Sequence, residues 1–175
     1  MGMLLRHLAA IAILPFTVTV LVPAWIAGRY GIVPSLGVSR GGLILQGGGL
    51  VVLAVGLLLF GSSLRRFASE GHGTLAPWDP PRRLVVRGPY RFVRNPMISG
   101  VVFVLAGEGM LLASIPHAVW AAICVVLNLV YVPLVEEPFL LDRFGEAYRE
   151  YCRHVPRLVP RLKPWSPEPE REHPA

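Results

Sequence analysis

Four apolar runs, over residues 8–27, 42–64, 97–113 and 117–135, dominate this chain. Each is close to the ~20 residues that a helix needs to cross the ~30 Å hydrocarbon core of a bilayer. Pro15 and Pro23 mark expected kinks in the first run, and Gln46 with a glycine cluster marks the start of the second. The break Ser114-Ile115-Pro116 separates the third from the fourth, which makes those two a helical hairpin. The expected fold is all-α: a polytopic membrane protein with about four transmembrane helices. A single domain over residues 1–165 and a disordered tail over 166–175 complete the expected layout. The first run is too long for a signal peptide and ends without a small-x-small cleavage site.

Composition agrees with the runs. Of 175 residues, 53% are hydrophobic and 16% charged, a balance unlike that of a soluble domain. The net charge of +6 is carried by arginine in all but one basic position. With this hydropathy, such charge points to anionic headgroups or to carboxylate and phosphate ligands rather than to nucleic acid. Cys124 and Cys152 have no cysteine neighbours at metal or redox spacing, so neither a disulfide nor a metal is expected.

Charge also sets the orientation. The loop between the second and third runs holds Arg65, Arg66, Arg82, Arg83, Arg87, Arg91 and Arg94, whereas the loop before it holds only Arg29 and Arg40. The positive-inside rule then places both termini and the long loop in the cytoplasm. No stretch outside the membrane before the C-terminal region is long enough for a nucleotide-binding domain with its own core. An active site must therefore be assembled from helix ends, the Arg-rich loop and the C-terminal segment.

In that segment Leu140, Phe144, Tyr148, Tyr151 and Val155 recur at helical spacing, with charged residues on the other face. This predicts an amphipathic helix over about 138–154. Glu136 and Glu137 precede it, where two adjacent like charges call for a cation beside at least one of them. Neighbours on a helix point about 100° apart, so one faces inward, and Pro138 helps to aim it. Glu108 lies in the outer part of the third run, where a structural role is expected, and His72 sits in an exposed glycine-flanked loop.

The stretch Arg87–Met97, "RGPYRFVRNPM", and the later "EEPFLLDRFGEAYREYCRHVPR" together resemble the isoprenylcysteine carboxyl methyltransferase and phospholipid methyltransferase superfamily. Its signature is an Arg-His-Pro-x-Tyr-x-Gly motif followed by a Glu-Glu pair and Phe-Gly-x-x-Tyr-x-x-Tyr. The resemblance implies a membrane-embedded methyltransferase that uses S-adenosylmethionine on a lipophilic acceptor. It places Arg94, Asn95, Pro96, Met97, Gly100, Glu136, Glu137, Tyr148 and Tyr151 at the cofactor, in a protein of the bacterial inner membrane; Tyr90 and Arg91, aimed at the interface by the turn Gly88-Pro89, are expected there too. Asn95 and Ile98 stand where the signature has histidine and tyrosine, and Tyr131-Val132-Pro133 stands where eukaryotic carboxyl methyltransferases carry an arginine.

The residues themselves favour the same chemistry. Pro96 is preset for a first helical turn, Asn95 is a favourable cap before it, and the start of a helix offers free N–H groups to an anion. Arg91 or Arg94 beside that end suits the methionine carboxylate or a substrate phosphate. A glutamate suits the ammonium or the ribose hydroxyls, with Glu137 favoured over Glu136. Arg94 and Glu137 are the residues expected to carry the reaction. The competing readings are a membrane reductase of related architecture using NADPH, and a non-catalytic membrane scaffold.

Overall fold

The computed structural model describes residues 12–34, 39–70, 83–157 and 159–166. All regular elements among them are helical. A widened helical stretch Ala12–Leu21, with Pro15 inside it, runs into α1 (Val22–Tyr30), which ends at Gly31 in the left-handed conformation. The long helix α2 spans Arg40–Glu70. A single 3-10 turn, Gly88–Arg91, precedes α3 (Pro96–Leu111), and α4 covers Ile115–Tyr131. A second widened stretch, Val132–Glu136, joins α4 to α5 (Glu137–His154) without a break in the helical path. The bend comes at Gly145, φ 53° and ψ −128°, and not at Pro138.

Among the described residues, two helices are long and apolar enough to cross a membrane, Arg40–Glu70 and the continuous Ile115–His154. α3 is apolar but shorter. The 31 residues of α2 reach about 46 Å at 1.5 Å each, more than a hydrocarbon core requires.

The closest packing is between α2 and the antiparallel α3. A methyl group added at Gly56 would lie 2.7 Å from the backbone nitrogen of Val104, and one at Gly107 would lie 2.6 Å from that of Leu53. Gly49 and Gly100 are equally crowded, at 2.8 Å and 2.7 Å. The small residues stand seven apart, Gly49, Gly56 and the fully buried Ser63 on one helix, Gly100 and Gly107 on the other. Where lipid gives no hydrophobic drive between helices, such seams let backbones touch and gain dispersion. Gln46 Nε2 donates to the carbonyl of Leu111 at 3.1 Å, satisfying one of the groups left open at the C-terminal end of α3.

The hairpin turn between α3 and α4 puts Ala113 at a positive φ of 46°. Ser114 caps α4 and shares a 2.7 Å hydrogen bond with Nδ1 of the buried His117. His117 Nε2 lies 3.2 Å from the carbonyl of Pro23, and Trp120 Nε1 donates to the carbonyl of Val18 at 3.0 Å. These bonds dock α4 on the first helical region. Glu108, expected to be structural, has one buried carboxyl oxygen without a hydrogen-bond partner.

Candidate active site at the start of α3

The sequence predicts that Pro96 opens a helix, and α3 begins there. Asn95 does not cap it as expected: its side chain makes no capping bond, and the backbone carbonyl instead accepts from Ser99 N and Oγ, each at 3.1 Å. Its φ of −117° and ψ of 62° bring the chain into the helix from the neighbouring Arg94.

Arg94 reaches across to the start of α5. Its Nη1 donates to Glu137 Oε1 at 2.8 Å and to Cys152 Sγ at 3.0 Å. The same carboxylate is held from the other side by Arg157, whose Nε donates to Oε1 at 2.8 Å and Nη2 to Oε2 at 2.6 Å. All three side chains are mostly sheltered, at 13% exposure for Arg94, 17% for Glu137 and 33% for Arg157, so screening by water is reduced. The Glu137 hydrogen bond also holds Arg157 more firmly in its charged form.

Glu136, next door, makes no ion pair or hydrogen bond with the described residues, whose pairs at this place all fall on Glu137. Tyr90 is 7% exposed, and its hydroxyl is buried without a partner among the described residues, as is Nε of Arg94. Burial first, then Tyr151 and Glu136, raises the Tyr90 phenol far above its ordinary range, so it remains a hydrogen-bond donor. The Tyr151 hydroxyl donates to the Tyr90 carbonyl at 2.7 Å. The alternating face predicted for the C-terminal helix is the one that packs: Leu140, Phe144, Tyr148, Tyr151 and Val155 cluster with Leu84, Val86 and Trp165.

Arg91 is not brought to this cluster. Its Nε donates to the Trp165 carbonyl at 2.8 Å and its guanidinium bonds Ser166 Oγ. It lines a separate cavity of about 710 Å³ with Arg66, Arg87, Glu150 and Trp165. Gly100 faces Phe60 of α2 in the helix seam, Met97 is half-buried, and Pro96 is buried. His72 and residues 167–175 of the expected tail lie outside the described residues.

Arg157 is the residue that the sequence reading passed over, because in "HVPRLVPR" it looks like one more cytoplasmic-side charge. Its signal lies in its position after Val155, which is fully buried and so anchors the chain just before it. From there the C-terminal segment runs back along the Arg91–Arg94 loop. Arg94 N donates to the Pro156 carbonyl at 2.9 Å, Arg161 N to that of Phe92 at 3.0 Å, and Trp165 N to that of Arg91 at 3.0 Å. His154 and Trp165 stack with ring centroids 5.0 Å apart.

Comparison with known proteins gives the same direction. Methanethiol S-methyltransferase 1 of Bradyrhizobium diazoefficiens (strain JCM 10833 / BCRC 13528 / IAM 13628 / NBRC 14792 / USDA 110) is 35% identical over 71 residues, 41% of this chain. Those residues span only 24% of that relative's length. No solved structure matches the chain. The family model described as phospholipid methyltransferase matches residues 45–147, which include most of α2, the seam glycines, Arg94 and the acidic pair. The chain thus belongs to the phospholipid methyltransferase family, within the isoprenylcysteine and phospholipid methyltransferase superfamily.

Proposed function

We propose that the chain is an S-adenosylmethionine-dependent methyltransferase whose active site forms where α3, the acidic pair and the C-terminal segment meet. The protein crosses the membrane about four times as one domain over residues 1–165, with both termini and this site on the cytoplasmic side. The observation that carries the reading is the Arg94–Glu137–Arg157 cluster, flanked by two buried donors without partners, Arg94 Nε and the Tyr90 hydroxyl, and by the unpaired carboxyl of Glu136.

That set fits a zwitterionic nucleoside. Two donors and a net positive cluster suit its carboxylate, while Glu136 suits its ammonium or ribose hydroxyls. When bound, S-adenosylmethionine supplies a methyl group already activated on a sulfonium. Little is then asked of the protein in covalent chemistry, and positioning and electrostatics carry the rate. Arg94 and Glu137 fix each other, Tyr90 and Arg94 Nε hold the anionic end, and Glu136 accepts from a cationic or hydroxyl group. Tyr148 and Tyr151 wall the site and keep water out.

The acceptor is a lipophilic or membrane-associated nucleophile. The family description points to a phospholipid, and the relative's name to a small thiol. Calorimetry on the detergent-purified full chain tests the reading. S-adenosylhomocysteine should bind the wild type and lose about 10- to 100-fold in affinity on Arg94→Ala, the worth of charge-assisted hydrogen bonds. Stabilisation by NADPH with none by S-adenosylhomocysteine would replace the methyltransferase reading with the reductase one.

A further inference from the structure

We infer that Arg157 is a specificity-determining residue, the one that gives the site its selectivity for a donor carrying a carboxylate; this rests on the reading that the site takes S-adenosylmethionine. Glu137 has both carboxylate oxygens occupied by guanidinium donors, Oε1 by Arg94 and Arg157 and Oε2 by Arg157. It is therefore neutralised within the cluster, and its first task is to hold two cations side by side. Within this trio, two arginines against one glutamate leave a net charge of +1, with the carboxyl of Glu136 beside it. Without Arg157 the Arg94–Glu137 pair would be neutral and, next to Glu136, would offer an anion no net attraction.

The donor inventory agrees. A guanidinium carries five N–H groups, and Arg157 uses one on Nε and one on Nη2, so three remain. Arg94 keeps its buried Nε–H without a partner. Free donors on both cations, around one positive charge, match a carboxylate better than an amine or a hydroxyl. Arg157 also comes from a different part of the chain than Arg94. The site becomes positive only when the C-terminal segment lies along the Arg91–Arg94 loop, through the backbone bonds of Pro156, Arg161 and Trp165.

The test compares S-adenosylmethionine with its decarboxylated form, which keeps the adenine, ribose, sulfonium and ammonium and lacks only the carboxylate. Affinities are measured by calorimetry on the full chain without acceptor. The wild type should prefer the carboxylated donor by at least about tenfold, in line with charge-assisted hydrogen bonding. In Arg157→Ala that preference should fall about tenfold while affinity for the decarboxylated donor stays within about twofold, a split that general misfolding would not produce. Arg157→Lys keeps the charge but not the fork, so it should recover part of the preference, and it keeps the test valid if the alanine variant does not fold. Equal weakening of both donors, or no change in either, overturns the inference while leaving the methyltransferase reading intact. Failure of the wild type to bind S-adenosylmethionine at all overturns both.

Discussion

The body of α3 and its start are held by opposite means. Along its length, Gly100 and Gly107 meet α2 backbone to backbone, and the contact depends on the absence of side chains. At its start, Arg94 projects a long charged side chain into a cluster where two buried donors and one carboxyl still lack partners. The first region is complete by shape and has nothing left to bind. The second is held together but electrically unfinished, and that combination suits a site that must exist before its ligand arrives. The seam fixes where the start of α3 stands, so the cluster inherits its geometry from a contact that performs no chemistry.

This contrast can be broken most severely at the seam. Gly107→Val places atoms against the α2 backbone at Leu53, which cannot rotate away, and overpacking of this kind costs about 3 kcal/mol or more. Loss of folded protein on size-exclusion chromatography is expected, and a normal elution profile would mean that the helices are not in backbone contact. Arg94 and Glu137 variants should instead remain folded and lose ligand.

A smaller effect separates Glu136 from Glu137. Glu137 already has both oxygens occupied by arginine, whereas the Glu136 carboxyl is left to meet a cationic group of the ligand. Glu136→Gln should lower affinity for S-adenosylhomocysteine about tenfold by calorimetry, and an affinity unchanged by that substitution would take Glu136 out of the site.

The smallest effect is expected at Gly145. Nothing lies within 4 Å of an added methyl group there, but its φ of 53° is strained for any other residue. Gly145→Ala should lower stability by about 1 kcal/mol, read as a modest fall in Tm with ligand affinity retained. The same small substitution would be far costlier at Gly107, where space rather than backbone conformation is limiting.

Much of this arrangement is legible in the sequence. Apolar length and the Ser114-Ile115-Pro116 break place α3 and the start of α4 to within two residues, and the 3.6-residue period finds the buried face of α5, but α2 runs on to Glu70 and the fourth run continues without a break to His154. The convergence of Arg94 with the acidic pair, 43 residues away, is anticipated because adjacent carboxylates need a cation and few elements can supply one. Arg157 is not anticipated, since an arginine in a basic, proline-rich stretch carries no periodic signal and its role depends on how the chain turns after Val155. Nor is Asn95, whose residue type favours capping while its backbone angles leave the capping bond unmade. The seam is written in the sequence as glycines seven apart on two segments, but their partnership is a tertiary fact.

The central claim is methyl transfer at the Arg94–Glu137–Arg157 cluster. Its most direct measurement is transfer of label from methyl-labelled S-adenosylmethionine in proteoliposomes of mixed phospholipids, with and without a small alkyl thiol. The account predicts labelled product with the wild type and at least about a tenfold loss in Glu137→Gln, which removes the charge that holds the two arginines together. Full transfer by that variant, or no transfer by the wild type to either acceptor, would contradict it.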